Sequence, residues 1–124
     1  MAIDGLLQGI DTILVRVTNY EASRSWYSGK LGFPVIHDDP AMKLAVLDAS
    51  GPTSLTIWQT EGALPGGRQN SAFPIFKTPN AEALRNELIS RGIDAGPVST
   101  DTGVTYFQFF DPDGNVLEAC QVHE

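Results

Sequence analysis

Glu118 stands in the apolar run Val116-Leu117-Glu118-Ala119-Cys120. Burying a lone carboxylate is costly, so an acid at that place needs a reason. Strand side chains alternate faces, which puts Glu118 and Cys120 on one face and Leu117 and Ala119 on the other. A carboxylate so placed can anchor a cationic group or act as a general acid or base. Cys120 reads as a small strand residue rather than a nucleophile, because no histidine is placed near it. His37 and His123 fall on an outer strand and at the chain end, and read as solvated side chains.

The elements that position Glu118 are legible around it. Residues 104–110 and 116–122 read as two strands joined by Asp111-Pro112-Asp113-Gly114-Asn115. In that turn Pro112 presets φ, Gly114 permits a positive φ, and the flanking Asp and Asn side chains can accept from nearby backbone N–H groups. Upstream, residues 10–17 alternate as a strand, with Ile13, Val15 and Val17 on one face and Thr12, Leu14 and Arg16 on the other. Asn19 is an N-cap, a helix runs over 20–31 with Trp26, Tyr27 and Leu31 as its apolar stripe, and Gly32 stops it. Trp26 and Tyr27 read as core packing. Strands over 33–37, 42–47 and 54–59 follow.

Residues 60–70 have linker composition, with Gly62, Pro65, Gly66 and Gly67. Then the order repeats: a strand over 72–78, a helix over 81–91 capped by Asn80 and ended by Gly92, an edge segment over 93–97, and the two closing strands. The repeat, at an offset of roughly 60 residues, rests on matching punctuation: Asn19 with Gly32, Asn80 with Gly92, Gly51 with Gly114. The chain is therefore a single α+β domain of two tandem βαβββ modules, one over about 10–60 and one over about 72–122, with a linker over about 60–71. Residues 1–9 form a leader whose Leu6-Leu7 pair suits an edge strand or a partner contact.

Composition sets bounds on function. A chain of 124 residues is one domain with room for a core. Its 42% hydrophobic and 19% charged content is ordinary for a globular protein. The net charge of −7 argues against a nucleic-acid partner, which needs a clustered basic surface. No run is long enough to span a membrane, so no membrane partner is expected, and no secretory signal is visible. A single cysteine excludes an internal disulfide and fits a cytoplasmic protein.

Two βαβββ modules around a Gly-Pro linker, closing on Asp-Pro-Asp-Gly-Asn-x-x-Glu, resemble the vicinal oxygen chelate superfamily of glyoxalases, bleomycin-resistance proteins and extradiol dioxygenases. The phrase Trp26-Tyr27-x-x-x-Leu31-Gly32-Phe33 is similar to that family's first-helix signature. The resemblance implies that each module's sheet curls into a half-barrel around a cleft, with helices outside. Thr12, Leu14, Arg16, Thr56, Trp58, Phe73, Ile75, Lys77, Tyr106, Gln108, Phe110 and Glu118 would then line the cleft, with Ser54 and Cys120 beside them.

The family's metal enzymes place four ligands on these strands. Carried over, the positions fall on Thr12, Thr56, Phe73 and Glu118. Threonine hydroxyls are weak ligands for a divalent metal and phenylalanine is none, so no metal or other cofactor is expected. The resemblance then points to a metal-independent protein that binds or sequesters a small organic molecule, apolar or aromatic and suited to a cation by Glu118. Alternatively Glu118 pairs with Arg16 or Lys77 and fixes the site's shape. A second class is an enzyme of the lyase, isomerase or dioxygenase type, with Glu118 as acid or base and Tyr106 or Gln108 as hydrogen-bond donor, or with a divalent metal. A third is a sensor domain with no chemistry. Exposed sheet edges and the family's habit both imply a homodimer.

Overall fold

The structure, a computed structural model, describes residues 2–62 and 72–123. Its strands form two sheets. Thr12–Val17 (β1), Val35–Asp39 (β2), Leu44–Leu47 (β3) and Ser54–Gln59 (β4) make the first, in the order β1-β4-β3-β2. Ile75–Lys77 (β5), Asp94–Ala95 (β6), Ser99–Asp101 (β7), Val104–Phe110 (β8) and Val116–Val122 (β9) make the second, in the order β5-β9-β8-β6, with β7 also on β8. In each sheet the opening strand runs parallel to the closing one, β1 with β4 and β5 with β9, and every other pairing is antiparallel. The chain is thus α+β with two βαβββ modules, as its sequence implies. The linker expected over 60–71 lies largely outside the described residues.

The two helices begin alike. Asn19 Oδ1 accepts from the Ala22 amide at 3.0 Å and opens the helix Tyr20–Ser25 (α1). Asn80 Oδ1 accepts from the Ala83 amide at 3.0 Å and opens Ala81–Ser90 (α2). Each bond satisfies a backbone donor that a helix start leaves orphaned. Gly32 and Gly92 both take φ of 77°, the left-handed conformation that ends a helix at little cost to glycine. The first helix differs from expectation in its second half. Trp26–Lys30 is π-helical, with the Leu31 amide donating to the Trp26 carbonyl, so the α-helical stretch ends at Ser25.

Alternation sorts the strands into a core face and an open face. Val15, Val17, Ala45, Leu47, Leu55 and Ile57 are buried on the first sheet; Phe107, Phe109, Leu117 and Ala119 are buried on the second. With Tyr20, Tyr27, Ala81, Leu88 and Ile93 they form one continuous core that spans both modules. α1 packs on β3 and β4, and α2 on β6, β8 and β9, so both helices cover the core face. Burial of this much apolar surface is the principal stabilising term.

Four expectations need correction. The strand expected over 72–78 is only Ile75–Lys77, because Pro74 has no N–H to donate and its carbonyl serves instead as acceptor for the Glu118 amide. Phe73 therefore lies in the approach to β5, half-buried. The leader is not an edge strand: Ala2–Gly5 forms one 3₁₀ turn. The segment after α2 yields two short strands rather than one, since β7 adds a second pairing to β8. The strand expected over 33–37 instead covers Val35–Asp39, because Pro34 has no N–H to donate and its carbonyl accepts from the Asp48 amide.

Candidate functional site

The helix-free face of the first sheet carries Thr12, Leu14 and Arg16 from β1 beside Thr56 and Trp58 from β4. Thr12 and Thr56 share a hydroxyl–hydroxyl hydrogen bond of 2.7 Å. The Arg16 guanidinium stacks over the Trp58 ring, 4.8 Å from its centroid, and donates to the Gln59 carbonyl at 3.1 Å. Trp58 Nε1 donates to the Met42 carbonyl at 3.1 Å, which fixes the indole under that cation. Leu14 is 49% exposed between them, a large apolar side chain open to the outside. His37 ends the row that Leu14, Thr56 and Val46 form across this sheet, and it is exposed.

The second sheet presents a matching face. Cross-strand register sets Ile75, Glu118 and Gln108 in one row, and Lys77, Cys120 and Tyr106 in the next. Gln108 Nε2 donates to Glu118 Oε1 at 3.4 Å, and Glu118 is half-buried. Ile75 is 56% exposed. Phe110, half-buried, pairs with Val116 and Asp94 at the far end. The expected pairing of Glu118 with Arg16 or Lys77 is not what the structure shows. Arg16 turns to Trp58 and Gln59, and the carboxylate takes its hydrogen bond from a neutral amide on its own sheet.

The donor set that the family's metal would need does not fit a divalent ion here. The hydroxyls of Thr12 and Thr56 satisfy each other, Phe73 offers no lone pair, and Glu118 stands alone on the other sheet. Among the described residues no three His, Cys, Asp or Glu side chains gather where they could hold a metal.

The polar residues of the turn after β8 do something that their sequence did not announce. Asp111, 5% exposed, accepts four hydrogen bonds: from the Tyr27 hydroxyl at 2.8 Å, the Asp113 amide at 3.0 Å, and the amide and side-chain nitrogens of Asn115, each at 2.8 Å. Asp113 accepts from both the amide and the hydroxyl of Thr18, and Asn115 Nδ2 donates to the Arg16 carbonyl at 2.9 Å. The turn therefore clasps the first module at three points. Burial raises the Asp111 carboxyl above its ordinary range, against the lowering effect of the Asn115 and Tyr27 hydrogen bonds. Burial, and then the charge of Asp111, push the Tyr27 phenol well above its usual value. Tyr27, read as packing alone, is thus also a buried donor.

A cavity among the described residues lies away from the helix-free face. It has a volume of about 680 Å³ and lies between the modules, on the side of the core and α2. Of the twelve residues expected to line the ligand site, only Ile75 and Lys77, on the edge strand β5, reach its wall. Lys30, Leu84 and Arg91 line it and carried no signal in sequence beyond helical spacing.

The comparisons with known proteins agree with this architecture. Residues 9–119 match the model of the glyoxalase/bleomycin resistance protein/dioxygenase superfamily. The Bacillus subtilis (strain 168) protein YwkD is 32% identical over 130 residues, covering 91% of this chain and 96% of that one. The crystal structure of a glyoxalase family protein from Enterococcus faecalis superposes with a TM-score of 0.78 at 28% identity, over 93% of this chain and 98% of that one. TnmS3, an antibiotic-binding protein from Streptomyces sp. CB03234, shares the fold with a TM-score of 0.80 at 22% identity, over 94% and 98% of the two chains. Sequence motif, module repeat and family model converge: the chain belongs to the glyoxalase/bleomycin resistance protein/dioxygenase superfamily.

Proposed function

We propose that this chain is a metal-independent binding protein that holds or sequesters an apolar or aromatic small molecule, with Glu118 as the anchor for a cationic group. The observation that carries this reading is the 2.7 Å bond between Thr12 and Thr56, which closes two would-be metal positions on each other. Leu14 and Ile75 supply exposed apolar surface on the same faces. The fold shared with an antibiotic-binding protein is consistent with sequestration.

The site on this reading is completed by a second copy. Each wall's polar contacts stay on its own sheet, Thr12 with Thr56, Arg16 with Gln59, Gln108 with Glu118. The strands β1 and β5 each end their sheet among the described residues, and an open edge invites pairing. A homodimer that sets β1 of one copy near β5 of its partner brings the two open faces into one cup. We place the protein in the cytoplasm, where the free thiol of Cys120 stays reduced; no described helix is long and apolar enough to cross a membrane.

A second reading rests on the hydrogen bond from Gln108 to Glu118. An amide that holds one carboxylate oxygen leaves the other free to exchange a proton with a bound substrate. This acid–base enzyme needs no metal either, and turnover in the presence of chelator separates it from sequestration.

The binding reading is tested by titrating the parent, Glu118→Gln and Phe73→Ala with a panel of aromatic amines and their neutral isosteres. Glu118→Gln should weaken the amines by about 1.5–3 kcal/mol, the range for hydrogen bonds to charged groups, and leave the neutral ligands nearly unchanged. Phe73→Ala should weaken both. Unchanged binding of every ligand by both variants would place the site elsewhere.

A further inference from the structure

The cavity between the modules shares only Ile75 and Lys77, on the edge strand β5, with the site read above. Its volume, about 680 Å³, is within the range of small-molecule sites. Ile13, Phe33 and Leu55 from the first module face Phe76, Leu84 and Leu88 from the second, so its walls are apolar. Its rim is cationic: Lys30, Lys77 and Arg91. That is unexpected in a chain of net charge −7.

The rim's single described carboxylate is already taken. Glu87 pairs with Arg91 Nε at 2.9 Å, while Arg91 Nη1 donates to the Lys30 carbonyl at 2.8 Å. The first bond joins neighbouring turns of α2, and the second ties the end of α2 to the end of the π-helical segment. Lys30 and Lys77 have no carboxylate partner among the described residues. The attraction between a rim ammonium and an arriving anion strengthens as the anion's apolar body excludes water. The arrangement is complementary to a molecule that is apolar along its length and anionic at one end. A cation is repelled by the rim, and a neutral apolar molecule leaves it unused.

We propose that this cleft binds an apolar organic acid, an aliphatic or aromatic carboxylate, with its body between the two modules and its carboxylate at Lys30 and Lys77. It is a second site, on the core side of the sheets, and it does not involve Glu118. An occupant would touch both modules at once and so couple their packing to ligand.

Decanoate is the probe, with decan-1-ol as its neutral counterpart, and methyl NMR of the full chain is the readout. Saturable shifts are expected at Ile13, Leu55, Leu84 and Leu88, with Leu14 on the helix-free face unmoved. The alcohol should bind about tenfold more weakly or worse, the value of a charge-assisted hydrogen bond. The double variant Lys30→Gln, Lys77→Gln should lose a similar factor for decanoate and nothing for the alcohol. Both lysines are exposed, so the variant keeps its fold, and an unchanged melting temperature checks this. Gly51 lines the cleft, has open space around it and has no positive φ; Gly51→Phe should fill the cleft and abolish binding. Glu118→Gln should bind decanoate as the parent does. Equal affinity for acid and alcohol, shifts at Leu14 without shifts in the cleft, or no binding below the micelle concentration of decanoate would each overturn the proposal. So would intermolecular contacts showing the cleft filled by Leu6 or Leu7 of a second copy.

Discussion

Tyr27→Phe removes one hydroxyl from a side chain that is 0% exposed, and with it one of four hydrogen bonds to Asp111. The ring's packing is kept, and no buried donor is left orphaned. A hydrogen bond to an ionised acceptor contributes about 1.5–3 kcal/mol, and Asp111 keeps three donors, so a loss of about 2 kcal/mol is expected at neutral pH. The penalty has a definite pH dependence. Burial raises the folded-state value of Asp111, so over the interval from its unfolded to its folded value the native state holds a proton that the unfolded chain has released. Stability contributed at low pH is therefore lost as pH rises through that interval. The Tyr27 hydroxyl limits this loss, because its hydrogen bond lowers the Asp111 value. Without it the folded value climbs further and the loss grows. The variant's penalty should be small below the ordinary carboxylate range and full at neutral pH. At alkaline pH the order narrows again: the parent's phenol, raised well above its usual value, makes the parent lose stability as pH passes the unfolded tyrosine value, and the variant has no such group. Urea unfolding followed by far-UV circular dichroism at acid, neutral and alkaline pH measures all three regimes. A neutral-pH difference under about 0.5 kcal/mol, the scale of an ordinary surface change, would refute the assignment of Tyr27 and Asp111 as an inter-module clasp. So would a penalty of the same size at acid and neutral pH.

Two further outcomes follow from the site. Elemental analysis of natively purified protein should find no stoichiometric divalent metal, since Thr12 and Thr56 bond to each other and Phe73 cannot ligate; one metal per chain would restore a metal-enzyme reading. Light scattering at micromolar concentration should give the mass of a dimer, because the open edges of β1 and β5 and the exposed Leu14 and Ile75 need cover; a monomer mass would leave the cup incomplete.

By itself the sequence determined what depends on near neighbours. Asn19 and Asn80 cap helices because an amide oxygen reaches a backbone N–H three residues on, and Gly32 and Gly92 end them because glycine accepts a positive φ. The spans of β4, β8 and β9, and the face on which Glu118 lies, follow from alternation over a few residues. The module repeat, the closing turn with its glutamate and the helix phrase Trp26-Tyr27-x-x-x-Leu31-Gly32-Phe33 together pointed to the superfamily. Tertiary structure alone decided the rest, because those contacts join residues far apart in the chain. The partner of Glu118 is Gln108 rather than a cation, because Arg16 stacks on Trp58 and donates to the Gln59 carbonyl on its own sheet. Asp111 reaches back across the chain to Tyr27, and no local pattern reports that a turn aspartate has left the solvent. Phe73 sits before its strand because Pro74 cannot donate to the ladder. The cleft lies where α2, β5 and the first sheet meet, so Lys30 and Lys77, ordinary surface charges 47 positions apart in the sequence, come to line one cavity only when the two modules pack.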